Sequence, residues 1–135
     1  MNSAKAHHIG TFMTIVRYTQ WITGASFVLV WNIGHCQDAN AGKAVFVQCA
    51  ACHSIDGSNG TGPTLKGIEG RPAGTFAGFR YSKAIKGAKY AWDTARLDAF
   101  IANPQQALPG NVMPFSGVED AKQRADLIGY LQTIQ

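Results

Sequence analysis

Apolar positions recur with a helical period in three stretches of this chain, and the period is lost between them. Leu97, Phe100 and Ile101 fall at i, i+3 and i+4. They predict a helix from an Asp93 N-cap to Asn103, closed by Pro104. Leu127, Tyr130, Leu131 and Ile134 share one face of another helix, which begins at Asp120, whose spacing to Gln123 mimics a capping box. Ala39 to Cys49 reads as a third helix, with Asp38 or Asn40 as N-cap and Val45 and Phe46 on its apolar side. Gly42 costs such a helix stability; close contact with another helix gives it a use, and fraying of the first turn is the plainer alternative. A weaker helical turn starts at Ser82. Ser54 to Gly70 is glycine-rich and aperiodic, hence loop. The expected fold class is all-α, with three main helices and much irregular chain.

The 135 residues fit one domain, and 46% hydrophobic with 15% charged residues is ordinary globular composition. Disorder and collagen-like fibres are excluded. Three cysteines, an odd and small number, exclude a disulfide-stapled miniprotein. The net charge of +4 is too small to imply nucleic acid, though it favours acidic protein surfaces. Three helices bury a limited protein-only core, and small domains of this kind often need added support.

Charge is unevenly placed. Met1 to Cys36 carries only Lys5 and Arg17 of the 12 basic residues, and every acidic residue lies at or after Asp38. Behind Arg17 comes an uncharged run whose apolar centre, Trp21 to Ile33, is 13 residues long. A basic leader before an apolar stretch of roughly 7–15 residues is the pattern of a secretory signal peptide. Residues 1–36 are therefore read as a signal peptide and 37–135 as the mature domain, exported to the periplasm. Cleavage before Gln37 uses the small residues Gly34 and Cys36. Ala39-Asn40-Ala41 fits the A-x-A form better but cuts into the first helix. A retained membrane anchor is the alternative; its apolar core falls short of the ~20 residues a span needs. Lipid attachment at Cys36 is a further option, weakened by His35.

Cys49-Ala50-Ala51-Cys52-His53 reads C-x-x-C-H, a c-type haem attachment signature. Two thiols three residues apart at a helix end can reach the two vinyl groups on one porphyrin edge, and the next residue projects its imidazole beneath the iron. A thioredoxin-like C-x-x-C needs a βαβ setting, absent from this pattern. A zinc site needs four ligands, and beyond Cys36 the chain offers only Cys49, Cys52 and His53 before turning to carboxylates. A Cys49–Cys52 disulfide would be strained. The sixth iron ligand follows by elimination. His7, His8 and His35 lie in the leader, as do Met1 and Met13, leaving Met113. A lone methionine is commonly core filler, but Leu108-Pro109-Gly110-Asn111-Val112-Met113-Pro114-Phe115 is an apolar loop suited to lie over a haem face. His/Met ligation raises the reduction potential relative to bis-His.

From residue 37 onward the chain resembles the class I cytochromes c, most closely the short bacterial periplasmic ones similar to mitochondrial cytochrome c. The motifs that carry this are Gly42-Lys43-x-x-Phe46, the pentapeptide, Gly62-Pro63-x-Leu65-x-Gly67, Gly70-Arg71 and Gly78-Phe79-x-Tyr81-Ser82. Trp92, Asn103-Pro104, Pro109-Gly110-x-x-Met113 and Asp126-Leu127-Ile128-x-Tyr130-Leu131 complete them in order. The resemblance implies the cytochrome c fold wrapped around one haem c, held by thioethers to Cys49 and Cys52 and ligated by His53 and Met113. It implies that Gly42 and Phe46 cross the last helix at Leu127 and Tyr130, and that the Pro63 carbonyl orients His53. Arg71, Tyr81 and Trp92 would surround the inner propionate, and Phe115 would cover the haem near the methionine.

By the same resemblance the protein is no enzyme but a monomeric, soluble one-electron carrier. Its transient partners would be a quinol–cytochrome c reductase, a terminal oxidase, a photosynthetic reaction centre or a dehydrogenase. A haem enzyme or gas sensor in which Met113 leaves the iron, and a membrane-anchored haem domain of a larger respiratory complex, are the rival classes. Several positions depart from the family pattern. Phe100 stands for a tyrosine, Asn111 for a threonine and Ile85 for an asparagine, three changes that affect the hydrogen-bond network tuning the iron, and Gln105-Gln106 stands for a pair of docking lysines. Positive charge gathers instead between Lys66 and Arg96.

Overall fold

In the computed structural model, residues 36–135 are described. The leader and its processing lie outside these residues, apart from Cys36. The elements in order are α1 (Ala39–Ala50), α2 (Lys83–Gly87), α3 (Thr94–Ala102), α4 (Pro104–Ala107) and α5 (Ala121–Gln132). Among the described residues there is no β-strand, only one bridge between Pro72 and Ala91.

Each helix starts where a side chain can accept the orphan N–H groups of a first turn. Asp38 accepts from Asn40 and Ala41, Ser82 from Ile85, Asp93 from Arg96, Asn103 from Gln106 and Asp120 from Gln123. The sequence pattern places α1 and α3 within a residue of their observed bounds and finds the start of α5, which ends at Gln132, two residues short of the Ile134 included in its apolar face; Asp38 rather than Asn40 is the α1 cap. The short α4 was not expected. Pro104 ends α3, because it cannot continue the helix, and then opens α4, because its fixed φ suits a first helical position.

The core lies between α1, α3 and α5. Leu127, Ile128 and Leu131 of α5 are almost wholly buried, with Phe46, Leu97, Ile101 and Trp92 around them. Phe46 packs its ring on Tyr130 with centroids 5.5 Å apart. Gly42 lies against the neighbouring helix as expected, but one position earlier than Leu127. A Cβ there would sit 1.9 Å from the Asp126 carbonyl oxygen and 2.9 Å from Tyr130 Cβ. The glycine thus lets α1 and α5 approach each other closely at this point. Arg124 of α5 donates to Asp98 of α3 at 2.7 Å and to the Val118 and Glu119 carbonyls, tying both helices to the end of the loop that follows α4.

Candidate functional site

The last turn of α1 runs on into the pentapeptide. Cys52 and His53 both donate their N–H to the Cys49 carbonyl, at 3.0 and 2.9 Å, so the two thiols and the imidazole leave the chain from consecutive corners of one turn. The segment behind folds back through Gly62 N–H to the Cys52 carbonyl and Leu65 N–H to the Ser54 carbonyl, both 2.8 Å. That return carries Pro63 beneath the histidine, and His53 Nδ1 lies 2.7 Å from the Pro63 carbonyl oxygen. A carbonyl can only accept, so Nδ1 holds the proton and Nε2 is left with its lone pair for a ligand bond. The close passage requires Gly62. A Cβ there would fall 2.4 Å from His53 Cε1, a constraint the glycine's place in a family motif did not reveal.

A second local device sets the other wall. Gly70 and Ala73 donate to the Trp92 and Tyr90 carbonyls, and Trp92 donates back to the Arg71 carbonyl at 2.9 Å. This clasp puts Arg71 beside Trp92. Trp92 is buried and meets Tyr90 and Phe100 edge-on. Tyr81 packs edge-on against Phe79 at 4.9 Å.

Between these walls lies a cavity of about 410 Å³. Every predicted site residue lines it: Cys49, Cys52, His53, Pro63, Arg71, Tyr81, Trp92, Met113 and Phe115. The remaining walls are mainly apolar, with Leu65, Ile68, Ile85, Phe100, Leu127 and Leu131 prominent. Such a cavity suits a large flat apolar group better than a hydrated metal ion. Among the described residues no cluster of three or more His, Cys, Asp or Glu could hold a metal by itself.

Two polar features fit a porphyrin with carboxylate arms. Arg71 Nη2 donates to the Thr64 and Lys66 carbonyls at 3.0 and 3.1 Å. Its Nε and Nη1 are buried with no hydrogen-bond partner among the described residues. A buried guanidinium with two unmatched donors is costly unless an anion meets them. Burial draws the Arg71 guanidinium down from its usual value and pushes the Tyr81 phenol up, so both favour a negative neighbour that can accept hydrogen bonds. At the other end burial, and then the nearby Cys52, push the Cys49 thiol up. A neutral sulfur is favoured in this apolar setting, which fits a thioether.

Asn111, expected from the family pattern only to alter the hydrogen-bond network near the iron, takes a specific place in the structure. It is buried, and its side chain accepts the Met113 N–H at 2.9 Å. Its presence in a polar-tolerant Pro-Gly loop gave no signal of burial. Gln105, read only as a lost docking charge, donates to the Met113 carbonyl at 3.2 Å.

Comparison with known proteins agrees with this geometry. A family model described as Cytochrome c matches residues 39–135. The cytochrome c-type protein cyt cy of Rhodobacter capsulatus is 44% identical over 98 residues, covering 72% of this chain and 49% of that protein, so the chain spans about half of that relative's length. Cytochrome c of Tetrahymena pyriformis is 44% identical over 98 residues, covering 72% of this chain and 89% of that one. The solved structure of cytochrome cH from Methylobacterium extorquens superposes with a TM-score of 0.69 at 43% identity, covering 71% of this chain and 98% of that chain.

Proposed function

The chain belongs to the cytochrome c family, and from that premise we propose that its cavity holds one haem c and that the protein is a one-electron carrier. Cys49 and Cys52 would hold the group through thioethers, and His53 and Met113 would ligate its iron. The observation that carries this reading is that one apolar cavity is lined by all four of these residues while the His53 ring is oriented by Pro63. When bound, the haem supplies an iron that accepts and releases one electron.

The chain's own residues do the rest. The Pro63 carbonyl holds the imidazole in one tautomer and one orientation. The thioethers fix the cofactor to the backbone at the end of α1. Arg71, with Tyr81 and Trp92 beside it, receives the inner carboxylate arm, while the apolar walls and Phe115 keep water away. With His53 and Met113 both bound to it, the iron would exchange electrons with little rearrangement and would offer oxygen or peroxide no place to bind.

Export fits the same reading, with residues 1–36 removed as a signal peptide and residues 37–135 working in the periplasm. Within the described residues no helix is long and apolar enough to cross a membrane. The partners are respiratory or photosynthetic redox proteins met transiently by a monomer. Arg80, Lys83, Lys86 and Lys89 are exposed on and around α2, whose Ile85 lines the cavity. They offer an acidic partner surface a landing place near the cofactor.

Spectroscopy of the purified native protein tests this. Acid–acetone extraction should leave haem on the chain. The ferric form should show the weak long-wavelength charge-transfer band of an iron–thioether bond, and the ferrous form should bind carbon monoxide slowly. Met113→Ala should abolish the band, lower the potential and admit carbon monoxide. Free haem on extraction would remove the thioethers from the reading, and rapid carbon monoxide binding by wild type would favour an open-site enzyme or sensor.

A further inference from the structure

The loop from Asn103 to Val118 presents Met113, and it contains no charged residue. Its hub is Asn111, only 6% exposed between the exposed Gly110 and Val112. Asn111 Nδ2 donates to the Pro104 carbonyl at 2.7 Å and the Leu108 carbonyl at 2.9 Å. Asn111 Oδ1 accepts the Met113 N–H at 2.9 Å and Gln105 Nε2 at 3.3 Å. Both donors and both lone pairs of the carboxamide are therefore engaged. The Met113 carbonyl in turn accepts Gln105 Nε2 at 3.2 Å and the Phe115 N–H at 3.0 Å.

Met113 is thus gripped at its N–H and at its carbonyl by two amide side chains rooted in α4 and the turn after it. A threonine at position 111 would have one hydroxyl proton and could not donate to both carbonyls. The carboxamide can, and so it joins the start of α4, its C-terminal cap and the methionine backbone in a single knot. Buried hydrogen bonds of this kind restrict a loop to one arrangement, because opening it would leave several buried groups unpaired.

We propose that Asn111 is the positioning residue for Met113: its carboxamide, braced by Gln105, holds the thioether at the cavity and keeps the sixth coordination position closed to outside molecules. This rests on the reading of Met113 as axial ligand.

The test uses the native haem-loaded protein and the variants Asn111→Ala, Gln105→Ala and Met113→Ala. For each, the ferric charge-transfer band, the rate of carbon monoxide binding to the ferrous form and the denaturation midpoint are measured. Asn111→Ala should lose most of the band and speed carbon monoxide binding by roughly tenfold or more, the factor that about 1.4 kcal/mol commands. Gln105→Ala should move both readouts the same way by less, with its midpoint near wild type. A folded Asn111→Ala protein with wild-type band and rate overturns the proposal. If Asn111→Ala fails to fold, Gln105→Ala decides: a faster rate and weaker band support the proposal, and wild-type values overturn it. Met113→Ala separates the two readings. If it keeps the wild-type band and rate, the ligand assignment falls and this inference with it. If it loses the band while Asn111→Ala keeps it, only the role of Asn111 falls.

Discussion

The backbone N–H of Asp38 donates to Asp126 Oδ1 at 2.8 Å, joining residues 88 positions apart. The same carboxylate accepts both its close contacts from Lys122, at 2.5 and 2.7 Å, with the Asp126 side chain 6% exposed and that of Lys122 47%. The entry to α1 is thereby locked to α5 by a buried acid. The Asp38 N–H, and then Lys122, hold the Asp126 carboxyl below the usual carboxylate range. A group whose folded pKa is depressed stabilises the fold above its unfolded pKa and loses that contribution as pH falls through the folded value. Wild type should therefore lose denaturation midpoint as pH drops below the ordinary carboxylate range. Asp126→Asn should start lower at neutral pH and fall less steeply. Asp56, held at about 2 by hydrogen bonds from Ser58, titrates in the same acid range in both proteins, so the difference between them isolates Asp126. Parallel pH curves would show that the contact carries no linkage.

The same contact bears on the proposed cleavage before Gln37. The side chain of Gln37 lies on the backbone of Gly129, and Asp38 caps α1. A chain starting at Gln37 keeps both, whereas one cut after Ala41 loses the cap and leaves Asp126 without its backbone donor. The shorter chain should be less stable by at least about 1 kcal/mol, the usual worth of such a cap. Denaturation of the two haem-loaded chains measures this, and intact mass of the exported protein should show Gln37 first. Equal stabilities would mean that the helix entry has no bearing on the cut.

At Gly42 two effects oppose each other. Replacement by alanine raises helix propensity by roughly 1 kcal/mol. The added carbon would lie 1.9 Å from the Asp126 carbonyl oxygen, a backbone atom that moves only if α5 moves. Overpacking costs of about 1–3 kcal/mol should win, and Gly42→Ala should lower the denaturation midpoint. A raised midpoint would show that α1 and α5 can separate freely at this point.

What the sequence made legible follows from which interactions are local. The caps Asp38, Ser82, Asp93 and Asp120 act within three residues of themselves, and the pentapeptide holds its chemistry within five. Asp93, Asp120 and the pentapeptide could be read directly, the start at Ser82 only weakly, and at α1 the sequence left Asp38 and Asn40 both open. The Pro63 carbonyl and the Arg71–Tyr81–Trp92 group depend on long-range folding, and they entered only through resemblance to a family. The burial and partners of Asn111, Gln105 and Asp126 stayed hidden for a different reason, although the family pattern had already set Asn111 near the iron. Each is a polar residue whose type suggests solvent, and each is engaged through hydrogen bonds to backbone that no periodicity marks. Short α4 was hidden because one proline both ends and begins a helix.

Arg71 offers the sharpest test of how the cavity meets a carboxylate. Its Nη2 is committed to two backbone carbonyls, which hold the side chain in place, while its buried Nε and Nη1 lack partners among the described residues. If those two donors serve the inner propionate, they keep it ionised across the neutral range, because a nearby cation lowers a carboxyl pKa. The wild-type potential should then change little with pH near neutrality. In Arg71→Leu the propionate pKa should rise. As pH falls through that value, protonation removes a negative charge near the iron, ferric iron loses stabilisation, and the potential should climb. Arg71→Lys, which restores charge but not the planar fork, should fall between the two. Potentiometric titration of the three proteins at several pH values checks this. A flat profile in Arg71→Leu would mean that the free donors of Arg71 face something other than the propionate.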